Sequence, residues 1–477
     1  MTQVSTGARP VDSTRPQTSA VLLAIFVLAS AAARAQAPAT APPPQPPAAP
    51  PRIDVPYTQF TLPNGLHVIL HEDHSLPIVS VNIWYHVGSG RERPGRTGFA
   101  HLFEHLMFEG SSHVKEGEFD TLLEAAGGDN NGSTSADRTN YWENVPSNAV
   151  ELPLFLESDR MGFLLQSMTQ ARVEGQRDVV MNERRQGVEN RPYGSAPVVL
   201  GEMLYPEGHP YHWPTIGYVE DLKSATFEDV VEFFKRYYGP NNASLVVAGD
   251  IDPAETRRIV EKWFADVERG PFVEPFNAPP AVLQKVERRT IYDKVQLPRL
   301  YLGWLTPALF EPGDAALDIV SSILAGGKNS RLYRRLVYET QIAQDVTAFQ
   351  QSQQLQGTFL VVVTPRPGHA IEEVRKAVDE EIARLRNEPP SMREVERAVN
   401  QTEASFYARM ERVGGFGGIA DQLNAYYFQT GIPDYFAEDL GRYRVLSPSD
   451  VQAAVQRFLP QDRRVELMVM PEGEKKR

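Results

Sequence analysis

The chain has 477 residues with 48 Lys and Arg against 61 Asp and Glu, a formal net charge of −13 that argues against nucleic acid as a partner. It contains no cysteine, which excludes disulfide frameworks, thiolate zinc sites, thiol catalysis and lipid attachment through an N-terminal Cys. At 42% hydrophobic and 23% charged residues it has the composition of a globular protein, and its length predicts two or three domains.

The N-terminal residues are set apart first. Arg9 and Arg15 precede an apolar run from Ala20 to Ala29, the length of a signal-peptide core, and Ala33-Arg34-Ala35 supplies a small-x-small cleavage site. Residues 1–35 are therefore expected to be a signal peptide for export to the periplasm or the medium, with an uncleaved membrane anchor as the alternative. No stable membrane insertion is expected once the signal is cut. Residues 36–56 are dominated by Pro and Ala and are expected to form an extended, solvated linker.

Globular patterning begins at Tyr57. Alternation around Pro63-Asn64-Gly65 predicts a hairpin over Phe60 to Leu70, because Asn-Gly tolerates the positive φ of a tight turn. Ile78 to Val87 alternates again, with Val79, Val81, Ile83 and Tyr85 on one face of a half-buried strand. The period then lengthens: Phe99, Leu102, Phe103, Leu106 and Met107 predict a short buried helix between Gly98 and Gly110. On it sits His101-Leu102-Phe103-Glu104-His105. Residues four apart lie one turn apart, so both imidazoles project from one face and reach one metal ion together. Glu104 stands beside them, able to accept a proton from water without being forced to coordinate. Two imidazoles and a carboxylate suit zinc with an open fourth position, and the order is the inverse of the HExxH arrangement of zinc peptidases.

A third ligand has to come from elsewhere. Val173, Gln176, Val179, Val180 and Glu183 follow helical spacing between Gln170 and Glu189, which turns Glu183 inward with the apolar positions, while Glu174 and Glu189 are rivals. Further along, Thr226, Asp229, Val230, Tyr237 and Pro240 lead into a strand at Leu245 to Ala248. Ser447, Asp450, Val451, Phe458 and Pro460 lead into another at Val465 to Met470. This repeat predicts two copies of one α+β unit. Pro271, Pro275, Pro279 and Pro280 mark the boundary, giving domains at 57–270 and 282–477. Nine of the ten histidines precede Trp213 and only His369 falls in the second copy, so the second copy is expected to lack a metal site of this kind. Glu372 to Arg386 predicts an amphipathic helix with Ile371, Val374, Val378, Ile382 and Leu385 inward. Gly326-Gly327-Lys328 and Gly414-Gly415-Phe416-Gly417-Gly418 lack the spacing of nucleotide-binding loops.

The His101–His105 motif within Gly98 to Phe108, followed by Glu183 in Arg177 to Glu183, resembles the insulinase (pitrilysin) family of inverted zinc peptidases, in particular its short bacterial members related to mitochondrial processing peptidase. The likeness continues through Gly127 to Ser135, Glu189 to Gly194, His209-Pro210-Tyr211 and Tyr238 to Ala243. It implies two homologous domains, each a mainly antiparallel sheet flanked by helices. It implies one Zn2+ per chain held by His101, His105 and Glu183, with Glu104 as the general base. Gln176 stands where many members carry a Glu that orients a ligand from outside the metal shell, and its amide is expected to take that role without charge. The resemblance also implies that peptide substrates add as a strand beside the site, along an edge strand expected at Asn131 to Thr139 with Asn131, Gly132 and Ser133 against the substrate backbone. Arg331 and Tyr333 match a substrate-binding segment of the second copy, whereas a later Tyr of that segment is replaced by Gln344. The expected function is zinc-dependent endopeptidase activity on extended or unfolded peptides within a clamp-like chamber, in a homodimer or a heterodimer with a related chain. The alternative is a peptide-binding subunit active only with a second family chain.

Overall fold

The structure, a computed structural model, describes residues 53–474. The expected signal peptide at 1–35 and most of the linker at 36–56 lie outside the described residues. The last linker residues correct the reading: Ile53 and Val55 are buried against Phe406, Ile419 and Phe436, so the chain is already packed before Tyr57. Their alternation was hidden in a Pro- and Ala-rich context.

Strands β1 (Thr58–Thr61) and β2 (His67–Glu72) form the expected antiparallel hairpin. Asn64 fixes its turn by donating from Nδ2 to the carbonyls of Phe264 (2.7 Å) and Val267 (3.0 Å). With β3 (Ile78–Tyr85), β4 (Asp129–Thr134), β5 (Thr139–Pro146) and β6 (Ala243–Gly249), they make a sheet of order β1-β2-β6-β3-β5-β4. The second sheet contains β7 (Glu287–Asp293), β8 (Arg299–Thr306), β9 (Ala343–Gln351), β10 (Gly357–Pro365) and β11 (Val465–Pro471) in the order β7-β11-β8-β10-β9. In each sheet one strand late in its half runs parallel to one neighbour and antiparallel to the other: β6 between β2 and β3, and β11 between β7 and β8. From β2 onward the second sheet thus repeats the first. The repeat extends to the capping boxes, Thr226 with Asp229 on helix Phe227–Tyr237 and Ser447 with Asp450 on helix Pro448–Phe458. Residues 268–284 cross between the sheets without helix or strand.

Each half also lends the other a helix. Helix Ile419–Thr430 lies on β2, β3 and β6, with Leu423 against Ile69, Val246 and Ala248. Helix Ala196–Leu204 lies on β8 and β11, with Leu200 and Leu204 against Tyr301, Val465 and Leu467. The expectation of a half-buried β3 is corrected by this exchange, since Ser80 and Asn82 on its second face are buried as well. Most polar groups there are matched, the Ser80 hydroxyl being left without a partner: Asp421 Oδ1 accepts from Trp84 Nε1 (2.9 Å) and Asn140 Nδ2 (3.0 Å), and Asn424 Nδ2 donates to Asn82 Oδ1 (2.8 Å). The Gly414–Gly418 stretch is the turn into this helix, its Gly417 N–H bonded to Asp421 Oδ2 (2.8 Å).

Two further expectations change and one holds. The edge strand ends at Thr134 and Thr139 belongs to β5, because Ser135 N–H bonds the Arg138 carbonyl (2.9 Å) and closes a turn between them. Helix Gln170–Arg184 widens into a π-helical turn over Arg185–Glu189, and Val179 on it is exposed while Val173 and Val180 are buried. The amphipathic helix runs Ile371–Asn387 with the five expected apolar residues buried. No helix of the described residues is long and apolar enough to cross a membrane.

Candidate metal centre

The helix Phe99–Leu106 buries Phe99, Leu102, Phe103 and Leu106 in the first core and leaves His101, Glu104 and His105 on its other side. Its start carries no Ser, Thr, Asp or Asn. Gly98 occupies the N-cap at φ 90°, where a Cβ would fall 2.9 Å from the Ile216 carbonyl oxygen. The cap is supplied from a distance by Glu92, whose Oε2 accepts Gly98 N–H (2.9 Å) and whose Oε1 accepts Ala100 N–H (2.8 Å). Burial pushes the Glu92 carboxyl well above the usual range, against the backbone donors. Sequence reasoning missed Glu92, because it sits outside the spacing of a cap or capping box.

Helix Gln170–Arg184 packs against this helix, and both are tied to one loop. Arg184 donates from Nη1 to the Gly217 carbonyl (2.7 Å), and Gly217 sits so close to Gly98 that a Cβ on it would fall 2.5 Å from the Gly98 Cα. The neighbour of Arg184 is Glu183. Its Oε2 lies 3.4 Å from His105 Nε2 and 3.7 Å from His101 Nε2, and one donor atom from each residue lies within 4.8 Å of the others. These separations exceed a hydrogen bond. They approach the spacing of about 3.3–3.4 Å between ligand atoms that surround a tetrahedral ion at bonds of about 2.0–2.1 Å. The imidazoles stand edge to face, ring centroids 4.9 Å apart. Burial, with His105 as a lesser cause, pushes His101 down to about 4, which keeps it neutral and able to donate a lone pair at neutral pH. Glu183 is brought to the histidines from a side chain 45% exposed, so the inward position expected of it is the open rim of the site. The donor set and its spacing fit zinc.

Glu104 faces strand β4. Burial raises its pKa, and the nearby Thr134 hydroxyl, His105 and Arg138 oppose the rise. Gly132 lies opposite, where a Cβ would be 3.4 Å from Glu104 Cγ and 3.0 Å from the Tyr141 ring. Ser133 Oγ donates to Asn140 Oδ1 (2.6 Å) and accepts from Arg138 Nη1 (2.7 Å), while Asn131 Oδ1 accepts the Gly132 N–H (2.8 Å). Because β4 is paired on one side alone, it leaves a sheet edge beside Glu104, on which the Gly132 N–H is met by the Asn131 side chain and the Ser133 carbonyl by Arg138 Nη1 (2.9 Å).

Other expected residues lie elsewhere. Gln176 Nε2 donates to Glu109 Oε1 (2.5 Å), four residues beyond His105. It therefore ties the helix of Glu183 to the segment after the histidines, and the expected bond to a ligand is replaced by this tether. Arg331 is held by Glu394, Nε to Oε1 at 2.7 Å and Nη2 to Oε2 at 3.0 Å. Tyr333 opens the π-helical turn Tyr333–Glu339, and Gln344 is exposed near the start of β9.

A family model described as Insulinase (Peptidase family M16) matches residues 67–205, and one described as Peptidase M16 inactive domain matches residues 224–402. Zinc protease PqqE of Helicobacter pylori is 30% identical over 384 residues, which cover 79% of this chain and 85% of that protein. The chain belongs to the insulinase family. A probable mitochondrial-processing peptidase subunit beta of Arabidopsis thaliana is 25% identical over 424 residues, covering 85% of this chain and 77% of its own. The crystal structure of a protease from Helicobacter pylori superposes with a TM-score of 0.80 at 25% identity, covering 87% of this chain and all of that one. This member of the insulinase family has the two-sheet architecture, with helices flanking each sheet, of its structural neighbours.

Proposed function

We propose that this protein is an exported zinc endopeptidase acting on extended or unfolded peptides, with His101, His105 and Glu183 holding one zinc per chain and Glu104 as general base. The observation that carries the reading is the convergence of three donor atoms, within 4.8 Å of one another, beside Glu104 and a sheet edge. When bound, zinc would polarise the scissile carbonyl and acidify water. The residues of the chain do the rest. Strand β4 takes the peptide backbone as an added strand at Asn131, Gly132 and Ser133. Glu104 accepts a proton from the water whose oxygen adds to the carbonyl carbon, then delivers it to the amine nitrogen as the C–N bond breaks. Residues 57–270 form the metal-holding half and residues 282–477 the metal-free half of a clamp. Residues 1–35 direct export to the periplasm or medium and are removed, leaving the linker at 36–56.

We propose assembly as a homodimer or with a related chain. A second reading, a peptide-binding subunit that turns over only with a second family chain, is favoured by the engagement of Arg331 with Glu394 and by Gln344. One experiment tests both. Purified mature chain is assayed on a quenched fluorescent peptide library, with zinc measured by mass spectrometry and Glu104→Gln as control. Zinc near one per chain and cleavage lowered at least about 100-fold by chelator or by Glu104→Gln are expected. Undiminished cleavage by Glu104→Gln overturns the mechanism, and zinc without cleavage supports the partner-dependent subunit.

A further inference from the structure

The chain contains two Asn-Gly pairs, and the fold treats them in opposite ways. Asn64-Gly65 closes the first hairpin. Asn64 is buried, its Nδ2 is held by the carbonyls of Phe264 and Val267, and its Oδ1 accepts Leu66 N–H (3.2 Å). Gly65 N–H is bonded to the Leu62 carbonyl (2.9 Å), so the nitrogen that follows this amide is engaged elsewhere.

Asn131-Gly132 lies on the sheet edge formed by β4. Asn131 is exposed, and no partner holds its Nδ2 among the described residues, whereas Nδ2 of the neighbouring Asn130 donates to Asp120 Oδ1 (2.9 Å). Bonded residues alternate along an antiparallel ladder, and Ser135 is bonded to Arg138 at the turn, so Gly132, three residues earlier, points its N–H out of the sheet. There it meets Asn131 Oδ1 at 2.8 Å. The backbone nitrogen is thus held against the side-chain amide of the residue before it, on a side open to solvent. Packing requires the glycine, because a Cβ would fall 3.0 Å from the Tyr141 ring and 3.4 Å from Glu104 Cγ. No side chain at residue 132 therefore shields that nitrogen.

We propose that Asn131 is a self-modification site whose conversion to aspartate and isoaspartate disables the edge beside the candidate metal centre. A solvent base takes the Gly132 N–H proton and the nitrogen adds to Asn131 Cγ. The Cγ–Nδ2 bond then breaks, Nδ2 takes up a proton and leaves as ammonia, and a succinimide ring remains. Water opens the ring. Cleavage between Gly132 N and Cγ gives aspartate, whereas cleavage between Gly132 N and the main-chain carbonyl carbon gives isoaspartate, with the chain rerouted through Cβ and Cγ. Either product puts a carboxylate where an uncharged amide stood. Isoaspartate also lengthens the strand by a methylene, which breaks the alternation that sets its register. That the edge takes a peptide rests on the peptide-hydrolysis reading; the modification itself does not.

The test incubates the zinc-loaded folded chain and the urea-unfolded chain in mildly alkaline buffer. Mass spectrometry follows the peptides containing Asn64 and Asn131 for the exchange of NH for O, and enzymatic methylation counts isoaspartate. In the unfolded chain both positions are expected to convert at similar rates. In the folded chain Asn131 is expected to convert at least about tenfold faster than Asn64, which reacts only when the hairpin opens. Equal protection of the two positions, or an unmodified Asn131, overturns the proposal. Converted chain, separated on ion exchange by its added charge, is expected to keep its zinc and to cleave a peptide at least about tenfold more slowly than unconverted chain. Conversion that leaves cleavage unchanged overturns the disabling of the edge. Conversion in a chain that never cleaves upholds the modification and ends the hydrolysis reading alone. A peptide bound to zinc-loaded Glu104→Gln is expected to slow conversion of Asn131, because an added strand takes up the Gly132 N–H. Conversion that a bound peptide does not slow overturns the edge as the peptide's seat and with it the disabling.

Discussion

Burial lifts the Glu104 carboxyl above its usual range while Thr134, His105 and Arg138 hold it down. If Glu104 is the base it must be ionised, so activity is expected to fall as pH drops through its pKa, which a bound divalent ion beside it would lower against the effect of burial. Thr134→Val removes a hydroxyl that favours the ionised form and is expected to move the acid limb to higher pH than in the wild type; a pH profile with zinc measured at each point checks the direction. Gly132 acts by what it lacks. Gly132→Ala puts a methyl 3.0 Å from Tyr141 and 3.4 Å from Glu104, which displaces the base or the strand edge. A loss of at least about tenfold in kcat with zinc retained is expected, since misplacement by a fraction of an ångström is felt in the transition state.

At the scale of elements, Glu92 decides where the histidine helix begins. Glu92→Ala leaves the Gly98 and Ala100 N–H groups buried without an acceptor, at about 1–3 kcal/mol each. A lower Tm together with weaker zinc in a competition titration is expected, because His101 and His105 ride on this helix. Unchanged zinc affinity would show that the cap is merely structural. In the second half, burial alone would raise Glu394, but Arg331 and the Ser391 donors outweigh it and bring its pKa from 4.5 to about 2. A depressed carboxyl stabilises the fold above its unfolded value and loses that contribution as pH falls from about 4.5 toward 2. Arg331→Ala is expected to remove that part of the acid dependence, as read by chemical denaturation between pH 2 and 6.

At the scale of the whole molecule, the exchanged helices make each half a support for the other. Asp421 gathers donors from Trp84, Asn140 and Gly417, so Asp421→Ala strands two buried N–H groups of the first half and a part-buried one of the second. A loss of about 3 kcal/mol or more is expected in a single cooperative unfolding transition; independent melting of the halves would contradict the interlock. If zinc binds His101, His105 and Glu183, which only the folded chain brings together, chelation is expected to lower Tm reversibly and zinc to restore it.

Much of this was legible in the sequence because it is local. Strand alternation, the helical spacing of His101 and His105, the recurring Thr226-Asp229 and Ser447-Asp450 pairs and the inward face of Ile371–Asn387 depend on residues within a few turns of one another. The repeat was legible because the same local signals occur twice. What the sequence by itself determined is therefore the elements, the duplicated α+β unit and the two imidazoles on one face. The tertiary structure decided the rest: which Glu meets those imidazoles, that Gln176 serves as a tether, that Glu92 caps the histidine helix, and that β3 is buried on both faces by a helix more than three hundred residues away. Those outcomes depend on which distant surfaces pack together, and hydrophobic periodicity records that a face is covered without recording what covers it.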